Sequence, residues 1–181
     1  MKYIKLFESF EDYDPYELMI TPPNKKAEML IDEIMKSEPN LNLVNDLIVL
    51  GANLDWKDAG NYGQRTALYW TVIRNYSEIA RMLIGAGADV DVQDESGWTP
   101  LHWAAYYNRT EITQMLIDAK ADLNIEDVDS RTALHYIAVH NRLEIARMLI
   151  DAGARIDIED NEGKTPYDLT SNQELKKLLN P

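Results

Sequence analysis

The chain contains no cysteine, which excludes disulfide scaffolds, thiolate metal sites and cysteine nucleophiles. That absence suits a cytoplasmic protein. Basic residues are scarce: 18 lysines and arginines stand against 31 aspartates and glutamates, giving a formal net charge of -13. Nucleic acid is therefore a disfavoured partner, because phosphate contacts need a basic surface. Basic proteins and small cations are the partners this charge favours. No apolar run approaches the ~18–20 residues of a transmembrane helix. The opening MKYIKLFESFEDYD lacks the apolar core and small-residue cleavage site of a signal peptide.

What the chain does contain is a period. With 45% hydrophobic and 27% charged residues over 181 positions, it has the composition of a globular protein. Thr66, Thr99, Thr132 and Thr165 stand 33 residues apart, and the stretch around Thr99 reads TPLHWAA. Each threonine supplies an N-cap hydroxyl for a short helix, with Pro100 and Pro166 at the first helical position. Ala104 and Ala105 let that helix approach a neighbour closely. A second helix follows, with Glu78, Glu111 or Glu144 in its first turn, where the helix dipole favours an acid. Its buried face repeats as Ile79-Met82-Leu83, Ile112-Met115-Leu116 and Ile145-Met148-Leu149. Gly87 and Gly153 suit the left-handed residue that closes such a helix. The pairs Val90/Val92, Leu123/Ile125 and Ile156/Ile158 then alternate as a short extended finger does.

A period of this length denotes stacked supersecondary units. The TPLHWAA run, the GADVDV run and the fixed spacing resemble the ankyrin repeat family. The resemblance covers residues 24–181 and implies a mainly α solenoid of helix-turn-helix units with short β-hairpin fingers. It predicts an N-terminal capping repeat at 24–60, full repeats at 61–93, 94–126 and 127–159, and a C-terminal cap at 160–181, all within a domain spanning 21–181. Two departures carry a cost. Lys120 replaces the glycine at a left-handed site, worth roughly 1 kcal/mol, and Ser130 replaces the glycine seen at Gly97 and Gly163. The first finger, Asn53 to Arg65, is three residues longer than its successors.

Residues 1–20 form a leader. Tyr3, Leu6, Phe7 and Phe10 fall on one helical stripe, which either caps an open end of the stack or docks elsewhere, self-association included. MKYIKLFESF is similar to leaders of many small proteins encoded by marine bacteriophages and related bacteria. That likeness implies a host protein as target, a defence component included, and the host cytoplasm as location.

Chemistry finds no foothold. Gly163-Lys164-Thr165 mimics the end of a P-loop, but Ile158 stands where the earlier glycine is required. Gly85-Ala86-Gly87 follows a helix instead of a strand. Asp89-Val90-Asp91 with Asp94 lacks the third ligand and the glycine of a calcium loop. His102 and His135 occupy equivalent positions, and the resemblance implies that each hydrogen-bonds its threonine turn. His140 does not share a helical face with His135 as zinc ligands would. No catalytic residue, cofactor or metal is expected. The acids Asp89, Asp91, Asp94, Glu95, Asp122, Glu126, Asp127, Asp129, Asp157, Glu159, Asp160 and Glu162 concentrate in the fingers, either as solvated turns or as an edge that steers a basic partner.

In ankyrin-like arrays, targets are bound by the fingertips and the exposed side of the first helices. The resemblance thus implies a protein-binding scaffold with contacts at Arg65, Trp98 and Arg131, at Ile73, Arg74, Tyr106, Tyr107 and His140, and at Trp56 and Tyr62 in the long finger. Trp70, Trp103 and Tyr136 form a further row that either packs between repeats or binds. Trp103 is i, i+3 and i+4 from Tyr106 and Tyr107, so the three share a face. Trp98→Ala and Tyr107→Ala are expected to weaken binding by ~1–2 kcal/mol with the melting temperature nearly unchanged. A second use stays open, in which Trp70, Trp103 and Tyr107 trap a small ligand.

Overall fold

The computed structural model describes residues 14–58 and 63–180. The leader stripe Tyr3, Leu6, Phe7 and Phe10 lies outside the described residues, as does Tyr62. Two compact units divide the chain, Met1–Asp89 and Val90–Pro181.

The first unit holds α1 (Pro15–Ile20), α2 (Pro23–Met35), α3 (Leu41–Val49), α4 (Ala67–Arg74) and α5 (Ser77–Gly85). Asp14 caps α1 by accepting the Tyr16 amide at 2.9 Å. Leu18 is buried, whereas Tyr16, Met19 and Ile20 are exposed. α2 buries Ala27, Leu30, Ile31 and Ile34 and packs on α3 and α4. Buried Lys26 donates from Nζ to the Leu50 carbonyl at 2.7 Å, a cation at the C-terminal end of α3 where the helix dipole favours one. Glu33 joins α2 to α3 by accepting the Asn40 amide at 2.7 Å and the Lys36 ammonium at 2.6 Å. Asn40 then caps α3.

In the second unit run α6 (Pro100–Tyr107), α7 (Thr110–Asp118), α8 (Ala133–His140), α9 (Leu143–Asp151), α10 (Pro166–Leu169) and α11 (Gln173–Leu178). First helices pack on first helices, α6 on α8 and α8 on α10, and second on second, α7 on α9 and α9 on α11. Ala104, Ala105 and Ala138 are fully buried and permit that approach. Ile112, Leu116, Ile145, Leu149 and Leu175 are also fully buried, each worth about 1.5–3 kcal/mol over exposure.

Helix starts follow the threonine register. Thr99, Thr132 and Thr165 each form a reciprocal capping box with His102, His135 and Asp168. Thr66 forms none, because Tyr69 stands at the third helical position, and its hydroxyl is buried without a hydrogen-bond partner. The turn between paired helices rests on Asn75, Asn108 and Asn141, which close α4, α6 and α8 at φ 60°, 59° and 56°. Asparagine tolerates this left-handed conformation better than most residues. At the second-helix ends, Gly87, Lys120 and Gly153 take φ 90°, 66° and 93°, so Lys120 carries the strain its position predicts.

The fingers depart from expectation. No strand occurs among the described residues. Each finger in the second unit is closed by one backbone bond across its turn, from Asp94 N to the Trp98 carbonyl at 2.9 Å, Asp127 N to that of Arg131 at 3.0 Å and Asp160 N to that of Lys164 at 2.9 Å. Further finger amides are taken by side chains and by the neighbouring finger. Asp91 accepts the Asp122 amide at 3.0 Å, the Ser96 carbonyl accepts from Val128 N at 3.2 Å, and the Asp129 carbonyl accepts from Asn161 N at 3.0 Å. Gly97 sits at one such crossing: a Cβ there would fall 2.9 Å from Asp127 Cα and 3.0 Å from Val128 N, whereas one at Gly163 would meet nothing within 4 Å.

Gly97→Ala is therefore expected to lose clearly more stability than Gly163→Ala, by more than about 1 kcal/mol, since φ is 78° and 74° at the two sites. Chemical denaturation of both variants measures the difference. Lys120→Gly should raise stability by about 0.5–1 kcal/mol in the same assay.

Candidate functional site

Each finger closes on one aspartate. Asp94 Oδ1 accepts the amides of Ser96 and Trp98 at 2.9 and 3.0 Å. Asp127 Oδ1 accepts those of Asp129 and Arg131, both at 2.9 Å. Asp160 Oδ1 accepts those of Glu162 and Lys164 at 2.9 and 3.1 Å. Asp58, displaced by the longer first finger, accepts the Arg65 amide at 3.0 Å. All four are buried. For Asp160, burial raises the pKa, but the Lys164 and Glu162 amides and the Arg131 guanidinium outweigh it and hold the carboxyl below its usual range.

The second oxygen of each acid in the second unit takes a further donor. Trp103 Nε1 donates to Asp94 Oδ2 at 3.3 Å, Tyr136 Oη to Asp127 Oδ2 at 2.5 Å, and Arg131 Nε to Asp160 Oδ2 at 3.0 Å. Burial, and then the bond to Asp127, raise the Tyr136 pKa above the usual phenol value, so its hydroxyl stays protonated and donating. Two expectations change. Asp94, Asp127 and Asp160 are neither solvated nor available to steer a partner, being consumed in turn formation. Asp89, Glu95, Asp122, Glu126, Asp129, Asp157, Glu159 and Glu162 remain exposed.

On this frame the second unit gathers its aromatics. Trp98 is the hub, with ring centroids 4.6 Å from Trp103, 5.6 Å from Tyr106 and 4.4 Å from Tyr136. Tyr107 stacks on Trp103 at 5.6 Å and 16°, as the shared helical face predicts. Tyr106 meets Tyr107 at 5.1 Å and His140 at 4.8 Å, both edge to face. Trp98, Trp103 and Tyr136 are half-buried. Tyr106 at 37%, Tyr107 at 38% and Val139 at 48% remain exposed. The result is a ring cluster whose inner members pack and whose outer members face solvent.

Elsewhere the predicted contacts scatter. Trp70 is 6% exposed and cannot serve as a contact surface or as a wall of a ligand trap. Arg65 lies over it, Cζ 5.6 Å from the ring centroid. Trp56 and Ile73 are half-buried and Arg74 is exposed, all in the first unit. Arg131 lines a polar cleft of about 150 Å³ with Asp129, Asp160, Asn161 and Glu162. Trp103 and Tyr107 stack on each other and leave no slot between them for a ligand.

The histidines belong to the framework. His102 Nδ1 accepts the Thr99 amide at 3.1 Å, so Nε2 carries the ring proton and donates to the Arg131 carbonyl at 3.0 Å. His135 repeats this with the Thr132 amide at 3.0 Å and the Lys164 carbonyl at 3.2 Å. Each therefore fastens its own helix start to the next finger. Burial, the larger influence, lowers both pKa values against the opposing pull of those carbonyls. Among the described residues no group of three or more histidines and acids is placed to hold a metal ion, and no helix is long and apolar enough to cross a membrane.

A family model described as ankyrin repeats (3 copies) matches residues 33–127. A second, described as ankyrin repeats (many copies), matches residues 121–169. No curated protein matches the chain. The matched span starts within α2 and ends at the close of α10.

The lowered histidine pKa values set a pH dependence. A histidine harder to protonate in the folded chain than in the unfolded one contributes stability that is present above the unfolded pKa of about 6.5 and is lost as pH falls below it. Thermal melts at pH 7.5, 6.5 and 5.5 should show a progressive fall for the wild-type chain. His102→Gln should start lower at pH 7.5 and decline less steeply.

Proposed function

The chain belongs to the ankyrin repeat family, and from that premise we propose that it is a protein-binding module whose contact surface is the aromatic face of α6 and α8 in the second unit. Repeats of this family are generally protein–protein interaction modules and typically non-enzymatic. One observation carries the placement: Tyr106, Tyr107 and Val139 are exposed around a packed ring cluster. Exposed apolar groups braced from beneath are preorganised for binding, since little side-chain freedom remains to be lost. Tyrosine and tryptophan also dominate interface energetics.

The partner presents a basic surface. Seven finger acids in the second unit remain exposed after the buried turn aspartates are set aside, and the whole chain carries -13. Such a field accelerates encounter with a basic protein and repels acidic ones. Arg131 contributes at the finger edge and His140 beside Tyr106.

The immobilised full chain should capture a protein from bacterial lysate, whose affinity is then measured by calorimetry after purification. Tyr106→Ala and Tyr107→Ala are each expected to weaken that affinity by about 1–2 kcal/mol with little change in melting temperature. Unchanged affinity in both removes the proposal. Trp98→Ala, contrary to the expectation from sequence, should lower both affinity and melting temperature, because its ring packs against those of Trp103, Tyr106 and Tyr136.

A further inference from the structure

Arg109 is seated on the exposed part of the ring cluster. It stands at the junction of α6 and α7, where its amide donates to the Ala104 carbonyl at 2.8 Å and its carbonyl accepts the Thr113 amide at 2.8 Å and hydroxyl at 2.9 Å. The backbone is thus fixed. The Arg109 guanidinium lies over Tyr107, with Cζ 5.4 Å from the ring centroid. Tyr107 is in turn stacked on Trp103, so the cation meets a ring already held by a neighbour. The first unit repeats the pairing with Arg65 over Trp70.

A planar, weakly hydrated guanidinium stacks on an aromatic face in a way that a strongly hydrated ammonium does not. We infer that the Trp103–Tyr107 stack is a seat for an arginine of the partner, filled in the free protein by Arg109. This inference rests on the protein-binding reading and deepens it: the basic partner is recognised by arginine in particular, and Arg109 must move aside. The exposed acids of the neighbouring fingers, Glu126 and Asp129 among them, supply the attraction that favours a cationic newcomer, and the ring supplies the choice between arginine and lysine.

The probes are tetra-arginine and tetra-lysine peptides, titrated calorimetrically into the full chain at physiological salt. Removing a positive charge tightens both peptides alike, so the informative quantity is the ratio of their affinities. Arg109→Gln should raise the arginine-over-lysine ratio roughly two- to fivefold. Adding Tyr107→Leu should abolish that gain, and adding Tyr107→Phe, which keeps the ring, should retain it. A ratio unmoved by Arg109→Gln overturns the inference. So does a gain that survives Tyr107→Leu, or the absence of peptide binding by every form. None of these results decides the broader reading, which falls on the affinities of the Tyr106 and Tyr107 variants for the captured protein.

Discussion

A buried carboxylate at the foot of each finger is what the second unit depends on. An aspartate taken out of water needs its lone pairs occupied, and here two backbone amides and one side-chain donor do so. The amides fix the turn. The side-chain donor fixes where the first helix begins relative to that turn, because Trp103 and Tyr136 sit on α6 and α8. The polar end of each large ring is thereby anchored, and its apolar body is left to pack with Trp98. Finger geometry and ring placement are consequences of the same bond.

This dual role explains why the aromatic cluster is neither pure core nor pure surface. Trp98 enters from a finger and the other rings from helices, so the cluster joins two kinds of element. Its inner rings are committed by hydrogen bonds and edge contacts. The outer tyrosines inherit fixed positions without inheriting burial. Charge is sorted along with them: the acids that face inward have their oxygens occupied by donors, and those that face outward set the field around the fingers.

The period in the sequence made the architecture legible because helix caps are local. Threonine, proline, an acid in the first turn and a left-handed residue at the end act within a few positions, and each recurs at 33. Lys120 and Ser130 were readable as strained for the same reason. Asn75, Asn108 and Asn141 also recur at that spacing and mark the left-handed turn between helices, a signal as local as the threonine caps. The turn aspartates recur as well, yet composition presented them as part of an acidic row. Only burial separates Asp94 from Glu95 or Asp127 from Asp129, and burial is a tertiary property. The alternation in the fingers suits an extended segment, and the resemblance adds the hairpin, but neither says how many amides pair across the turn and how many go to a carboxylate. Trp70 and Trp103 occupy the same register and end at different exposures, which no repeat alignment within the chain distinguishes.

The bonds from His102 and His135 end on main-chain carbonyls, those of Arg131 and Lys164. A carbonyl is offered by every amino acid, so the linkage between successive units is blind to the identity of the residue that receives it. Arg131 and Lys164 occupy finger positions. The fold can consequently exchange side chains at these positions while the bolts between repeats stay fastened. Architecture and specificity are written at neighbouring atoms of the same residue, and the first leaves the second free to change.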